Sequence, residues 1–167
     1  MEEINKTEYK TKDEFYADLC NTLKALISEE GDWLANLANS SALLWMMLND
    51  INWAGFYLYK NKELILGPFQ GKPACTHIEL GKGVCGKAAF TKETILVKNV
   101  HEFPGHIACD SQSNSEIVVP IIKNDKLIGV LDIDSPLFSR FDETDKKYLE
   151  EFVDILNKYI TYPLKFI

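Results

Sequence analysis

The chain has 167 residues and a mass of 19.0 kDa, a length typical of one domain. Hydrophobic residues make up 46% of it and charged residues 26%, a balance that supports a buried core and excludes collagen-like, disordered and disulfide-scaffold classes. The net charge of -7 argues against nucleic acid and anionic membranes as partners, because both attract proteins through a basic field. The longest apolar run, residues 42–48, is too short to span a bilayer, and residues 1–6 lack a signal-peptide pattern. We therefore expect a soluble, cytoplasmic protein with one domain over residues 1–167.

Two helices are predicted first. In residues 12–30 the apolar side chains recur at helical spacing, and Gly31 supplies a stop. Asp32 is a suitable N-cap for a second helix that ends at Leu48. The apolar stretch 43–48 of this helix favours a core position, and one apolar edge of it can serve a dimer interface.

The pattern then changes to short strands. Segments 53–59 and 63–69 flank a short turn and predict a hairpin. Segments 116–123 and 126–134 flank Asn124-Asp125, which is a second hairpin signal. The remaining predicted elements are a strand at 76–80, a helix at 84–91, a strand at 94–98 and a final helix at 142–160, capped by Asp142. Because hairpin connections dominate, we predict an α+β fold with a mainly antiparallel central sheet flanked by helices.

The four cysteines are Cys20, Cys75, Cys85 and Cys109. No pair has the Cys-x-x-Cys spacing of zinc knuckles or thioredoxin-type motifs. Cys20 lies in the first predicted helix and fits a buried packing residue. The other three lie among Gly, Pro and polar residues, which favours redox chemistry over packing. Cys109 is inside residues 101–115, a long irregular segment of the kind that is often functional.

Three acids are predicted to meet on the second hairpin. Asp132 and Asp134 point to the same face of one strand, with Cα atoms about 6–7 Å apart, and Glu116 opens the partner strand. Carboxylates this close repel, so at least one pKa should rise toward neutrality. A protonated acid can then donate its proton to an oxygen. The rival use is a Mg²⁺ or Ca²⁺ site, but no calcium-loop spacing is present, and Cys109 nearby favours reductase-like chemistry.

Long motifs of this chain resemble one known family. They are NWAGFY at 52–57, GPFQGKPAC at 67–75, GVCG at 83–86, FPGHIACD at 103–110, SNSEIVVP at 113–120 and GVLDIDSP at 129–136. Together they are similar to the free methionine-(R)-sulfoxide reductases, a family with a GAF fold. The matching motifs extend from about residue 52 to 145 and carry three cysteines at matching separations.

The resemblance implies reduction of free L-methionine (R)-sulfoxide to L-methionine. It implies that Cys109 attacks the sulfoxide sulfur, that Cys75 is the resolving cysteine, and that Cys85 is a third cysteine whose role stays open. It further implies a thioredoxin-like reductant and a homodimer, and we expect no metal or organic cofactor. The remaining site residues implied are Glu116, Asp132 and Asp134, which bind the sulfoxide oxygen and the substrate, and the pocket-lining aromatics Trp53 and Tyr57.

The chemistry of a sulfoxide agrees with these roles. Its oxygen leaves only after protonation, and Glu116 is our first choice of donor, with Asp134 assisting. Attack leaves a cysteine sulfenic acid, which a second thiol converts to a disulfide. A bridge from Cys75 to Cys109 needs Cα atoms within about 7 Å, so we expect at least one of the two loops to move. Because carboxylates disfavour the Cys109 thiolate, substrate binding or protonation of one acid must relieve that conflict.

Two alternatives stay open at this point. A GAF-type sensor of a small molecule or of redox state needs no turnover, since a fold does not set a function. An acid-cluster metalloenzyme would depend on its ion. Among secondary candidates, His106 can tune the thiol of Cys109, and His77 and His101 are expected at the surface or in loops. The glycine-rich segment 81–83 can hold an anion such as the substrate carboxylate at a helix N-terminus.

Overall fold

The computed structural model of the protein describes residues 8–27, 31–107 and 109–163. Helices α1 and α2 are capped by Thr11 and Asp32, whose side chains accept backbone N–H groups of the first turn. Asp142 caps the last helix and forms a capping box with Asp145. The elements in chain order are α1 (Lys12–Leu26), α2 (Trp33–Met47), β1 (Trp53–Lys60), β2 (Glu63–Gly71), β3 (His77–Glu79), α3 (Gly83–Thr91), β4 (Ile95–Val97), a 3₁₀ turn (Val100–Glu102), β5 (Ser115–Lys123), β6 (Lys126–Ser135) and α4 (Glu143–Tyr159).

The strands form one sheet in the order β3-β2-β1-β6-β5-β4, and each neighbouring pair is antiparallel. Both predicted hairpins are confirmed. Their turns, Asn61-Lys62 and Asn124-Asp125, have positive φ at each residue, as two-residue turns need in order to match the twist of the flanking strands. The predicted α+β fold with a mainly antiparallel sheet is therefore confirmed.

The two faces of the sheet are covered differently. Helices α1, α2 and α4 pack on one face, where Phe56, Ile117, Leu131 and Phe152 share a large apolar cluster. The short α3 packs on the other face, over a smaller cluster around Tyr57. Because strand side chains alternate, the even-numbered positions 116–118 of β5 and 130–134 of β6 turn toward α3, where Val118 and Val130 join the smaller cluster. The predicted acids occupy three of those positions.

Some predicted bounds and positions differ from the structure. Helix α1 ends at Leu26 because Ile27 already has an extended backbone, with ψ of 129°; residues 28–30 of the predicted helix lie outside the described residues. Cys20 is buried in the helical cluster, as predicted. In the 43–48 stretch, however, Trp45 and Met46 are exposed. Within the described ranges, no helix is long and apolar enough to cross a membrane.

Candidate active site

Glu116, Asp132 and Asp134, here called the acid cluster, meet on the α3 face of the β5–β6 hairpin. Glu116 is the register partner of Asp134, and Asp132 lies two residues earlier on β6, on the same face. One carboxylate oxygen of Glu116, one of Asp132 and Sγ of Cys85 lie within 4.8 Å of one another. Strand alternation and hairpin register therefore build the grouping that the sequence predicts.

Burial controls the protonation of the acid cluster. Glu116 and Asp132 are each only 6% exposed. Burial raises the pKa of Glu116 well above its usual 4.5, and the charges of Asp132 and Asp134 add to the shift. Burial raises the pKa of Asp132 to about 6, and burial followed by the charge of Asp132 raises the pKa of Asp134. The cluster therefore retains protons toward neutral pH, as predicted.

Cys85 lies in the first turn of α3, directly against the acid cluster. Its Sγ donates a hydrogen bond to Oε1 of Glu116 at 3.9 Å. Burial raises the pKa of the thiol well above 9.0, and the charges of Asp132 and Glu116 add to this. A thiol that stays protonated is a weak nucleophile. The position of Cys85 therefore suits holding Glu116 better than attacking a substrate.

Cys75 and Cys109 form a disulfide with Cα atoms 5.8 Å apart, and Cys109 lines the pocket that contains the acid cluster. That separation lies in the ordinary range for a bridge. Cys109 is exposed and Cys75 is half-buried, whereas Cys20 and Cys85 are free and buried. The structure thus pairs the two cysteines to which the resemblance gives the attacking and resolving roles. The expected loop movement stays a prediction.

Trp53 and Tyr57 form one wall of the pocket. Their ring centroids are 5.8 Å apart, and Trp53 also stacks on Phe69 with centroids 5.2 Å apart. Trp53 Nε1 donates to the carbonyl oxygen of Lys72 at 3.2 Å, and the Tyr57 hydroxyl donates to the carbonyl oxygen of Cys75 at 3.0 Å. Both aromatic residues therefore line the pocket, as predicted, and they also fix the backbone of the Cys75 loop.

The pocket also brings a histidine and a glycine-rich turn to the acid cluster. His106 Nε2 lies 3.9 Å from Oε2 of Glu116. Burial, then the charge of His101, lowers the pKa of His106, so this contact is not an ion pair at neutral pH. Gly83 has φ of +60°, and a Cβ there would lie 3.2 Å from the side chain of Ile107. The glycine therefore allows the Cys109 loop to pack against the start of α3.

One set of side chains in this region is suited to a divalent ion. The ligand atoms of Cys85, Glu116 and Asp132 are close enough together to share one, and sulfur with carboxylate oxygen is a donor set that Zn²⁺ accepts. Mg²⁺ and Ca²⁺ prefer oxygen ligands alone, and this set includes the sulfur of Cys85. Protons lower the charge of the same cluster without any ion, and the expectation of a metal-free site stays a prediction.

The residues that hold the Cys109 loop escaped the sequence analysis. Asn52 Nδ2 donates to Oδ2 of Asp110 at 3.2 Å and to Oγ of Ser113 at 3.0 Å. Lys72 Nζ donates to Oε1 of Gln112 at 2.6 Å and lies 3.4 Å from Oδ2 of Asp110. The available signal was the place of Lys72 in the motif that carries Cys75 and of Asn52 in the motif that carries Trp53. Sequence alone does not show which of the motif residues touch each other.

Comparisons with known proteins agree with this geometry. The GAF domain model matches residues 32–160. The free methionine-R-sulfoxide reductase of Escherichia coli is 52% identical over 149 residues, 89% of this chain and 90% of that protein. The enzyme of the same name from Saccharomyces cerevisiae is 48% identical over 93% of this chain and 91% of its own. A solved structure of free methionine-R-sulfoxide reductase from Neisseria meningitidis in complex with its substrate has a TM-score of 0.87 and 44% identity, and the match covers 91% of this chain and 92% of that one.

Proposed function

Because this chain belongs to the free methionine-R-sulfoxide reductase family of GAF domains, we propose that it reduces free L-methionine (R)-sulfoxide to L-methionine at the pocket beneath Cys109. The observation that carries the proposal is the Cys75–Cys109 disulfide, because Cys109 lines the same pocket as the acid cluster, in which burial raises the pKa of Glu116. It supplies a sulfur that has been oxidised and a proton source in one place.

Cys109 is the proposed nucleophile. Its exposed position at the pocket mouth lets the thiolate reach the sulfur of a bound sulfoxide. The sulfoxide sulfur is reduced by two electrons to the thioether of methionine, and the sulfur of Cys109 is oxidised to a sulfenic acid that receives the oxygen. One proton enters in this step. Carboxyl groups that keep their protons can supply this proton, and while they are protonated they do not repel the Cys109 thiolate.

Glu116 is the proposed proton donor, with Asp134 assisting. The raised pKa of Glu116 keeps its proton available, and its register partner Asp134 shares the same space. General acid catalysis of this kind contributes typically about 10²–10⁴-fold. The Cys85 thiol, hydrogen-bonded to Glu116, keeps the carboxyl group in place. This assigns Cys85 a positioning role.

Asp132 and the aromatic wall are proposed to bind the rest of the substrate. Oδ1 of Asp132 is buried and has no hydrogen-bond partner among the described residues. A buried unsatisfied oxygen costs free energy until a donor arrives, and an ammonium group is such a donor. Trp53 and Tyr57 offer apolar ring surface to a methionine side chain. The start of α3, with Lys82 and Gly83 at the pocket, offers backbone N–H groups to a carboxylate.

Cys75 is the proposed resolving cysteine, and a thioredoxin-like protein is the proposed reductant. The Cys109 sulfenic acid and the Cys75 thiol give the disulfide and one water molecule. Exposure of Cys109 makes the bridge accessible to an attacking dithiol, whose two electrons restore both thiols. The cycle uses no metal or organic cofactor. Because it consumes a thiol reductant, we place it in the cytoplasm, where such reductants keep thiols reduced.

The assembly we propose is a homodimer formed through the outer face of α2. That helix contains no charged residue, yet Leu34, Trp45 and Met46 on it are between 41% and 56% exposed. A clustered apolar surface of this kind is typical of protein contacts. Sedimentation velocity measures the assembly directly.

A single assay tests the proposed activity. The reduced protein is incubated with racemic free methionine sulfoxide and dithiothreitol, and the epimers are resolved by chromatography. We expect loss of the R epimer alone. Cys109→Ser should abolish it, Cys75→Ser should permit one turnover and slow recycling, and Cys20→Ala should leave the rate unchanged because Cys20 is packed in the helical cluster. Binding of the R epimer without turnover would favour a sensor. Loss of activity on addition of a chelator would favour a metalloenzyme.

A further inference from the structure

The loops that carry Cys75 and Cys109 belong to distant parts of the chain. Cys75 lies between β2 and β3, and Cys109 lies between the 3₁₀ turn and β5, with a sequence separation of 34 residues. When the disulfide opens, other contacts must keep the two sulfur atoms near each other. The described residues provide a specific set of such contacts.

On the Cys109 side, the next residue in the chain is anchored to the sheet. Asp110 Oδ1 accepts the backbone N–H of Gln112 at 2.9 Å, and its Oδ2 accepts Nδ2 of Asn52 at 3.2 Å. Asn52 is itself fixed, because its backbone N–H donates to the carbonyl oxygen of Asp134 at 3.0 Å. The carboxylate next to Cys109 is thereby tied to the strand that carries the acid cluster.

On the Cys75 side, Lys72 connects the two loops. Trp53 holds its carbonyl oxygen, so its backbone is fixed to the aromatic wall. Its ammonium group crosses to the Cys109 loop, where it contacts Oε1 of Gln112 at 2.6 Å and Oδ2 of Asp110 at 3.4 Å. Lys72 therefore joins the fixed end of one loop to the anchored carboxylate of the other.

We propose that Lys72 is a positioning residue that, through Asp110 and Asn52, holds the two loops together for the step in which the Cys109 sulfenic acid reacts with the Cys75 thiol. This inference rests on the roles proposed above for the two cysteines. In that step the S–S bond forms, the S–O bond of the sulfenic acid breaks, and the hydroxyl leaves as water with the thiol proton. The step is intramolecular in either case, and holding the two reacting atoms close raises their effective concentration.

The expected size of the effect follows from exposure. The side chain of Lys72 is 57% exposed and that of Asp110 is 12% exposed, so solvent and salt screen the pair. Loss of the lysine should therefore slow disulfide formation by about 2–5-fold rather than abolish it. Among the described residues, the Lys72 ammonium group contacts Gln112 and Asp110 rather than the acid cluster, so methionine formation should keep its rate.

The test is a single turnover of the reduced full-length protein without reductant. Methionine release, loss of free thiols and trapping of the sulfenic acid by dimedone are followed on one quenched time course. For Lys72→Met we expect an unchanged methionine burst, slower disulfide formation and a larger dimedone adduct at Cys109. Lys72→Arg should restore the wild-type course. Lys126→Met, which removes the same charge at the far end of the sheet, should change nothing.

Salt provides a second measurement. Raising the salt concentration should slow disulfide formation in the wild-type chain and leave that of Lys72→Met unaffected. The proposal is wrong if Lys72→Met closes its disulfide at the wild-type rate, or if it slows methionine release and disulfide formation equally, as a merely structural role predicts. Absence of any methionine burst in the wild-type chain would instead overturn the proposed function.

Discussion

A buried aspartate on each side of the sheet shows how differently the two faces use polar groups. Asp145, on the face covered by α1, α2 and α4, accepts a hydrogen bond from the Tyr16 hydroxyl at 2.6 Å and contacts Lys12 and Arg140 at 2.6 and 3.4 Å. Asp132, on the α3 face, keeps one oxygen without a partner among the described residues. A satisfied buried carboxylate ties helices together, whereas an unsatisfied one is held ready for a ligand. The helical face thus satisfies its buried carboxylate, and the α3 face leaves one oxygen unsatisfied where we propose that the substrate binds.

The largest expected effect is on turnover and tests the α3 face. Glu116→Gln keeps the shape of the side chain but removes the proton, and we expect turnover to fall by about 10²–10⁴-fold. The melting temperature should not fall, because a neutral amide replaces a buried acid. Epimer-resolved kinetics measure the turnover, and calorimetry measures the melting temperature. A variant that retains wild-type turnover would remove Glu116 from the role of donor.

The next effect tests the helical face. Phe152 is fully buried in α4, and Phe152→Ala should lower the free energy of unfolding by about 3–5 kcal/mol through lost burial and a cavity. Turnover of the molecules that stay folded should be unchanged. Phe90→Ala is the matched control, because Phe90 on α3 is 70% exposed and its loss should cost less than about 0.5 kcal/mol. Equal losses in urea unfolding would contradict the role of the helical cluster around Phe152 as the stabilising core.

A smaller effect is expected from the pH dependence of the α3 face. The pKa of Asp132 is raised from 3.8 to about 6, so its ionisation opposes folding. Below pH 4 the carboxyl group of Asp132 is protonated and does not lower the free energy of unfolding. That free energy falls as the pH rises through 6. The free energy of unfolding of Asp132→Asn should therefore rise relative to that of the wild-type chain between pH 4 and 6, by up to about 3 kcal/mol. Urea titrations at several pH values measure this difference. A constant difference across that range would show that Asp132 does not titrate there.

The smallest effect has the opposite sign and lies on the helical face. Partial burial opposes ionisation of Asp142, but hydrogen bonds from Lys12 and from the backbone of Asp145 prevail and lower its pKa to about 2. Its contribution to stability is present above pH 4 and lost as the pH falls through 2. Asp142→Asn keeps a good N-cap and should cost about 0.5 kcal/mol at pH 7, since the pair is exposed and screened. The cost should vanish near pH 2, and a cost that persists there would assign it to the cap instead.

The fold was largely predictable because its signals are local. Paired turn residues such as Asn124-Asp125 predict the hairpin, but the register that places Glu116 beside Asp134 also depends on a β-bulge between Ile121 and Ile122, which the turn does not encode. The end of α1 was missed because Ile27 continues the apolar periodicity while its backbone leaves the helix. Periodicity records which side chains are buried, and it does not record where a backbone changes direction.

The site was predictable in its residues and less so in its contacts. Local alternation was enough to put Asp132 and Asp134 on one face, whereas the position of Glu116 beside them also depends on the bulged register of the hairpin. The resemblance supplied the cysteine pair. The protonated state of Cys85 and the contacts of Asn52 and Lys72 depend on loops that fold back from other parts of the chain. Interactions of this kind have no period or spacing in the sequence, so only the three-dimensional arrangement shows them.

The buried thiol of Cys85 has a consequence for how long the protein survives among oxidants. Peroxides attack thiolates that solvent can reach, and Cys85 is a protonated thiol with 4% exposure. Damage beyond the sulfenic state should therefore fall on Cys109, and closure onto Cys75 removes the vulnerable sulfur from further oxidation. Repeated exposure to peroxide should then inactivate a Cys75→Ser variant long before the wild-type chain, while mass spectrometry finds Cys85 unmodified in both.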